Sequence, residues 1–127
     1  MYTGYTTNDS PTRVFKAAES LTGGAFTAVS LGENGAIAAT ANTDPVGIIT
    51  AENDSTIPAN DYVTVQVRGG GYWIVGESIK AGDYLSAGAG GKGVKSTSGK
   101  FIYAQAMKPA AANAVAEVQI INAGYKA

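Results

Sequence analysis

The chain has 127 residues and a formal net charge of -1, from 9 Lys plus Arg against 10 Asp plus Glu. This length fits one domain with one core, and the near-neutral charge gives no strong field for nucleic acid or an anionic membrane. The sequence contains neither Cys nor His, which excludes disulfides and thiolate metal sites and removes the commonest general base. We therefore expect no metal, no cofactor and one compact domain.

The first residues show no basic segment followed by an apolar run, and no later apolar run approaches the length of a membrane span. These features predict a soluble protein made in a cytoplasm. Charged residues make up 15% of the chain and there are 17 glycines. Such light side chains favour β structure with tight turns over a helical bundle.

Residues 1–13 are polar and indicate an extended arm. Tyr2 and Tyr5 interrupt that polarity, and a solvated segment gains little from two aromatic side chains unless they dock. Two interpretations stay open: a disordered terminus with incidental tyrosines, or an arm that lies along a neighbour's sheet edge. In the second interpretation Val14 and Phe15 add apolar contact to that of the two tyrosines.

Short alternating runs between turn signals predict an all-β fold, a small barrel or sandwich, for the rest of the chain. The clearest turn lies at residues 32–35, because its Asn-Gly pair favours the positive φ values of hairpin loops. The predicted strands lie at residues 14–19, 25–31, 36–40, 46–49, 62–67, 72–75, 84–86, 101–107 and 115–121.

Residues 61–75 contain the strongest strand signal. Val63, Val65 and Val67 alternate with more polar residues, as in a half-buried strand, and three glycines follow before an aromatic, β-branched run. The pattern predicts a β-hairpin. Tyr72 and Trp73 lie just past its turn, and such a pair serves either the core or a subunit interface. We assign them to an oligomer interface.

The two halves of the sequence resemble each other. Leu31 matches Leu85, residues 46–48 match residues 102–104, and the Val-Gln-Val of residues 65–67 matches the Val-Gln-Ile that begins at Val118. Two copies of a strand, turn, strand, loop, strand unit reduce the number of exposed sheet edges when they close. The sequence therefore predicts a fold built from two similar halves.

Enzymatic motifs are weak. Residues 88–93 satisfy G-x-G-x-x-G, but a dinucleotide site needs a helix start immediately after it, and the following residues are a polar loop. A flexible hairpin loop is the alternative. The acidic residues are scattered and mostly flank turns, where solvation and turn bonding explain them. We therefore expect no catalytic residues and no enzymatic activity.

Several segments taken together carry a family resemblance. In this order they resemble the small capsid decoration, or cement, proteins of tailed bacteriophages, over residues 14–123. The resemblance consists of strand and turn patterns and includes no chemical motif. The segments are residues 45–49 (Pro-Val-Gly-Ile-Ile), 62–67 (Tyr-Val-Thr-Val-Gln-Val), 79–85 (Ile-Lys-Ala-Gly-Asp-Tyr-Leu), 91–94 (Gly-Lys-Gly-Val), 101–106 (Phe-Ile-Tyr-Ala-Gln-Ala) and 118–121 (Val-Gln-Ile-Ile).

The resemblance implies a compact β domain, residues 14–127, on the outer surface of an expanded capsid. It implies homotrimers at three-fold or quasi-three-fold positions that stabilise the shell against genome pressure. It also implies that an arm contacts the major capsid protein, through Tyr2, Tyr5, Val14 and Phe15. The alternative is a carbohydrate- or receptor-binding β module of a phage tail or surface appendage.

Overall fold

The computed structural model describes residues 11–41, 43–51 and 56–126, and this part of the chain is all-β, as predicted. Strands β1 to β5 form one five-stranded antiparallel sheet, the first half, and β6 to β10 form another, the second half. The strands are β1 (Thr12–Lys16), β2 (Ala28–Gly32), β3 (Gly35–Ala38), β4 (Gly47–Ile49), β5 (Tyr62–Gln66), β6 (Gly69–Ile74), β7 (Tyr84–Ala87), β8 (Gly93–Lys95), β9 (Phe101–Ala106) and β10 (Val115–Tyr125).

Helical structure in these residues is limited to one 3-10 turn, Ala89–Gly91. None of the described segments forms an apolar helix long enough to cross a bilayer. The predicted Asn-Gly turn is confirmed, because it joins β2 to β3 with Gly32 opposite Gly35. Strand β1 begins at Thr12, two residues before the predicted start of the domain.

The two sheets share one topology. The first has the order β1-β5-β4-β2-β3 and the second β6-β10-β9-β7-β8, which is the same order five strands later. In the first half the edge strands meet at one end through a parallel bridge between Ala17 and Ala36, and in the second half Val75 and Gly93 form the matching bridge. Each sheet therefore curls toward a small barrel, and the molecule is a tandem of two.

The repeat extends to single hydrogen bonds in the loops. The Phe26 N–H donates to Ile49 O at 2.8 Å in the first half, and the Gly82 N–H donates to Ala106 O at 2.7 Å in the second. Phe26 and Gly82 both adopt positive φ, 67° and 90°. Positions that match in this way are called equivalent below.

The predicted match between halves is correct for one segment and shifted for the others. Gln66 and Gln119 are equivalent, as predicted, because each pairs with the same strand position in its own sheet. Leu85 is equivalent to Val29 rather than to Leu31, because Leu85 pairs with β9 in the same way as Val29 pairs with β4. The match in β4 and β9 is off by one residue.

The predicted hairpin at residues 61–75 is wrong. Strand β5 pairs with β1 and β4, whereas β6 pairs with β10, so the chain passes from one sheet to the other between them. The Gln66 amide marks this crossing, because its Nε2 donates to Arg68 O at 3.0 Å and to Gly70 O at 2.6 Å.

Three clusters of apolar side chains hold the fold together. The first half has its own core, and the core of the second half also takes in Ala28 and Ile48 from the first. A third cluster joins the halves. The main core side chains are Leu21, Val29, Ile49, Val63 and Val65 in the first half and Trp73, Leu85, Tyr103, Val118 and Ile120 in the second.

Candidate contact surfaces

Trp73 lies in the core of the second half. Its side chain is 0% exposed, its Nε1 donates to Gly91 O at 2.8 Å, and its ring meets Tyr103 edge-on at 5.6 Å. The assignment of Trp73 to an oligomer interface is therefore corrected, since the folded chain leaves none of this ring for a partner. The residue is a core anchor.

Tyr72 lies at an interface, but within one chain. Its ring is half-buried and contacts Phe26 at a centroid distance of 5.9 Å. Ile74, next along the same face of β6, donates its N–H to Phe26 O at 2.8 Å. The loop before β2 thus covers the outer face of β6, which uses Tyr72 to join the two halves.

The glycine-rich segment at residues 88–93 serves packing. A Cβ on Gly93 would lie 2.9 Å from the Trp73 ring, and a Cβ on Gly91 would lie 2.5 Å from Ala28 O. These glycines let the loop pass between the Trp73 ring and the first half. The segment is a turn in which Gly88, Gly91 and Gly93 are buried while Ala89 and Gly90 are exposed. It leads into β8 and not into the helix that a dinucleotide site needs.

The predicted arm residues separate into two groups. Tyr2 and Tyr5 lie outside the described residues. Val14 and Phe15 belong to β1, paired with β5 of their own sheet, so they are not part of a free arm. Phe15 packs against the core of the first half, whereas Val14 is 61% exposed.

Two large apolar side chains, those of Val14 and Tyr62, are largely exposed on the outer surface of β1 and β5. Directly opposed residues of antiparallel strands point to the same side, and Val14 opposes Thr64 while Lys16 opposes Tyr62. Tyr62 is 64% exposed. We call the set Thr12, Val14, Lys16, Tyr62 and Thr64 the β1–β5 face.

The repeat indicates that the β1–β5 face is a packing surface. Val14 is equivalent to Tyr72, and Tyr62 to Val115. In the second half these two positions are covered by the first half. In the first half Val14 and Tyr62 are largely exposed, and none of the described residues covers them. The side chains that cover the two positions of the second half come from the first half, and they are Ala25, Phe26 and Ala51.

A second exposed surface lies on the second half. Tyr84 opposes Gln105 across β7 and β9, and Gln105 opposes Gln119 across β9 and β10, so the three form one row on the outer side. Tyr84 is 46% exposed. We call this row the Tyr84 face. An open pocket of about 250 Å³ adjoins it.

The described residues contain no group of three or more Asp and Glu side chains placed to hold a metal ion. Burial raises the pKa of the Tyr103 hydroxyl. The pKa of Tyr125 is raised mainly by its hydrogen bond to Asp44, at 2.6 Å, which also ties the two halves together. An ordinary tyrosine is already protonated at neutral pH, so both shifts affect ionisation only in alkaline solution.

Sequence reasoning named Val14 as a contact residue of the arm but missed Tyr62 and the Tyr84 face. Its search for interface residues followed aromatic size, which selected Trp73. The internal repeat is the signal that reveals the β1–β5 face. Aligning Val14 with Tyr72 shows that a position covered in the second half is exposed in the first. The same alignment places Tyr84 on Ala28, a small buried residue.

No protein-family model matches the chain, and no curated protein matches it. Among solved structures, the N base of head fiber gp8.5 of bacteriophage phi29 has a TM-score of 0.71 at 17% identity, over 92% of this chain and 98% of that one. The C-terminal fragment of phi29 gene product 12 has a TM-score of 0.58 at 11% identity, over 87% and 99%. The likeness is one of fold.

The pre-mature gene product 12 of the same phage has a TM-score of 0.61 at 12% identity. The alignment covers 95% of this chain but 22% of that longer one. The described fold therefore corresponds to one portion of gene product 12 and to nearly all of the gp8.5 N base.

Proposed function

We propose that this chain is a structural protein of a bacteriophage virion, that it binds the outer surface of an expanded capsid, and that it stabilises the shell by bridging subunits of the major capsid protein. The observation that carries the proposal is the fold shared with the N base of a phage head fiber over nearly the full length of both chains. The sequence resemblance to capsid decoration proteins supports the same class.

The anchor in this proposal consists of residues 1–11 and the β1–β5 face. The chain enters β1 at Thr12, so the residues before it start beside that face. A small, nearly neutral protein gains little electrostatic attraction, and contact area has to come from shape and from added strands. Tyr2 and Tyr5 supply aromatic groups, and Val14 continues the contact on the barrel.

Strand addition is available at the same place. Strand β1 is an edge strand with β5 on one side, and β3 reaches its other side only at the C-terminal end, near Lys16 and Ala17. Edge strands can take a strand from a partner, with backbone hydrogen bonds supplying affinity. Phe15, which the sequence analysis counted among the arm residues, is not part of the proposed anchor, because its side chain packs inward. Homotrimeric assembly is part of the proposal and rests on the family resemblance.

Deletion of residues 2–10 tests the anchor. We expect the truncated protein to keep its melting temperature, because residues from Thr12 onward form both sheets and the apolar clusters between and within them. Its occupancy on expanded capsids of the phage that encodes it should fall about tenfold or more, since interface energy concentrates in a few aromatic contacts. Co-sedimentation with purified capsids measures the occupancy.

A matched pair of substitutions tests the β1–β5 face in the full chain. Val14→Asp places a charge on that face, and Leu31→Asp places one on β2, where Leu31 is also largely exposed. Val14→Asp should reduce occupancy while Leu31→Asp leaves it unchanged. Full decoration by both the truncated protein and Val14→Asp would overturn the proposed anchor.

A further inference from the structure

At one row of equivalent residues, the surfaces of the two halves differ. In the first half the row is Ala28, Ile48 and Gln66, all buried. In the second half the equivalent row is the Tyr84 face, with a large ring in place of the alanine and amides in the two other positions. This row has thus changed from a joint between barrels into an exposed surface.

Solvation alone does not account for the Tyr84 face. The terminal unit of a tandem needs a polar outer surface, and Gln105 and Gln119 meet that need. An exposed aromatic ring adds apolar area that a plain solvated surface lacks. A ring flanked by two amides on adjacent strands is a flat surface that offers both stacking and hydrogen bonds.

The pocket beside Tyr84 adds charged groups. It is lined by Gly82, Asp83, Tyr84, Lys95, Ser96 and Lys126. Two lysines and one aspartate therefore belong to the lining, but Lys95 is paired with Leu85, so its side chain leaves the sheet on the side opposite Tyr84. A second carboxylate, that of Glu77, accepts a hydrogen bond from the Lys95 N–H at 2.8 Å and lies next to this lining.

The backbone around the pocket is held in place by hydrogen bonds. Asp83 Oδ2 accepts from the Lys80 N–H at 2.8 Å, which fixes the turn before β7. The Ser96 N–H donates to Tyr84 O at 2.8 Å. Gln105 Nε2 donates to Gly82 O at 3.1 Å, which sets its amide beside the ring. A site built on paired strands in this way loses little entropy when a ligand binds.

We propose that the Tyr84 face and its pocket form a binding site for a saccharide that carries an acidic group. The Tyr84 ring stacks on the apolar face of a sugar ring. The amides of Gln105 and Gln119 bond to neighbouring hydroxyls, since each amide offers donors and an acceptor. The ammonium group of Lys126 pairs with the acidic group.

The site goes beyond the proposed capsid role and does not depend on it. It lies on the second half, whereas the proposed anchor lies on the first. A saccharide site there leaves the β1–β5 face available to the capsid. Purified protein is sufficient for the test, so failure of saccharide binding and failure of capsid binding are separate results.

Saturation-transfer NMR with two matched probes tests the proposal. The probes are a galacturonic acid tetramer and a galactose tetramer of the same linkage, followed by a set of sialylated, uronate and phosphorylated saccharides. We expect transfer to the acidic tetramer to exceed transfer to the neutral one by about tenfold. The difference should shrink in high salt, because exposed charges are screened.

Variants locate the site. Tyr84→Ala should reduce binding about tenfold or more, and Lys126→Ala should remove the preference for the acidic probe. Tyr62→Ala removes an exposed tyrosine from the other half and should leave binding unchanged. Absence of binding to every acidic saccharide overturns the proposal, as does full binding by Tyr84→Ala. Equal binding of the neutral tetramer overturns the acidic assignment.

Discussion

Tyr103 shows how one buried residue combines an apolar gain with a polar loss. Its ring packs edge-on against Trp73 in the core of the second half. Its hydroxyl is buried and has no hydrogen-bond partner among the described protein groups. Burying a hydroxyl without a partner costs free energy that the ring contact has to offset.

Tyr103→Phe should therefore leave the fold intact and raise the free energy of unfolding by up to about 1 kcal/mol at neutral pH, since the ring stays and the desolvated hydroxyl is removed. Urea denaturation followed by Trp73 fluorescence measures the change. Tyr84→Phe is the control, because that hydroxyl belongs to an exposed side chain and its loss should have little effect. A loss of stability on Tyr103→Phe would indicate a partner for the hydroxyl.

The same residue predicts a pH dependence. Burial raises the pKa of Tyr103 above its value of about 10 in an unfolded chain. The unfolded state therefore releases this proton at lower pH, and stability is lost as the pH rises above about 10. In Tyr103→Phe that part of the alkaline loss should be absent. Equal alkaline slopes for the variant and the natural chain would contradict the assignment.

At the scale of single elements, strand positions follow from sequence but strand partners do not. Alternation in residues 62–67 predicted β5, and the aromatic run predicted β6. Three intervening glycines favour a hairpin, yet β6 pairs with the long β10 instead. A hairpin needs only a permissive turn, whereas the observed pairing depends on a strand more than 40 residues later, which local patterns do not contain.

The first residue of β8 gives a prediction at this scale. Gly93→Ala should lower the free energy of unfolding by about 1–3 kcal/mol, because its Cβ would lie 2.9 Å from the Trp73 ring and the core would have to shift. Gly70→Ala is the matched control, since the nearest atom to its Cβ is 3.7 Å away. That variant should change stability by less than about 1 kcal/mol. Equal effects would show that the ring yields to the methyl group.

At the scale of the whole molecule, the sequence predicts the class and the repeat, but not the surfaces. The all-β fold follows from strand and turn patterns, and the equivalence of Gln66 and Gln119 follows from similar neighbours, Val-Gln-Val and Val-Gln-Ile. Their environments differ, since Gln66 is buried at the crossing between halves and Gln119 is exposed. Burial here depends on which barrel covers a row, and that is a tertiary property.

These two glutamines form a matched test of the tandem. Gln66→Ala should lower the free energy of unfolding by about 1–3 kcal/mol, because it removes both backbone hydrogen bonds of the buried amide at the crossing. Gln119→Ala, at the equivalent exposed position, should change it by less than about 0.5 kcal/mol. Chemical denaturation of the two variants measures both. Similar losses of stability in the two variants would show that the Gln66 hydrogen bonds at the crossing stabilise the fold no more than the exposed Gln119 amide does.

The two sheets share no strand, and the chain completes the first before it begins the second. During synthesis every strand of the first half therefore leaves the ribosome before β6 does, and nascent units of this kind fold from the N-terminal side. The loop that carries Phe26 and the row that carries Ala28 are then already in place when Trp73 emerges. The first half is therefore expected to fold first, and the core of the second half then packs against its Ala28 and Ile48. The order of synthesis is thus also the expected order of folding.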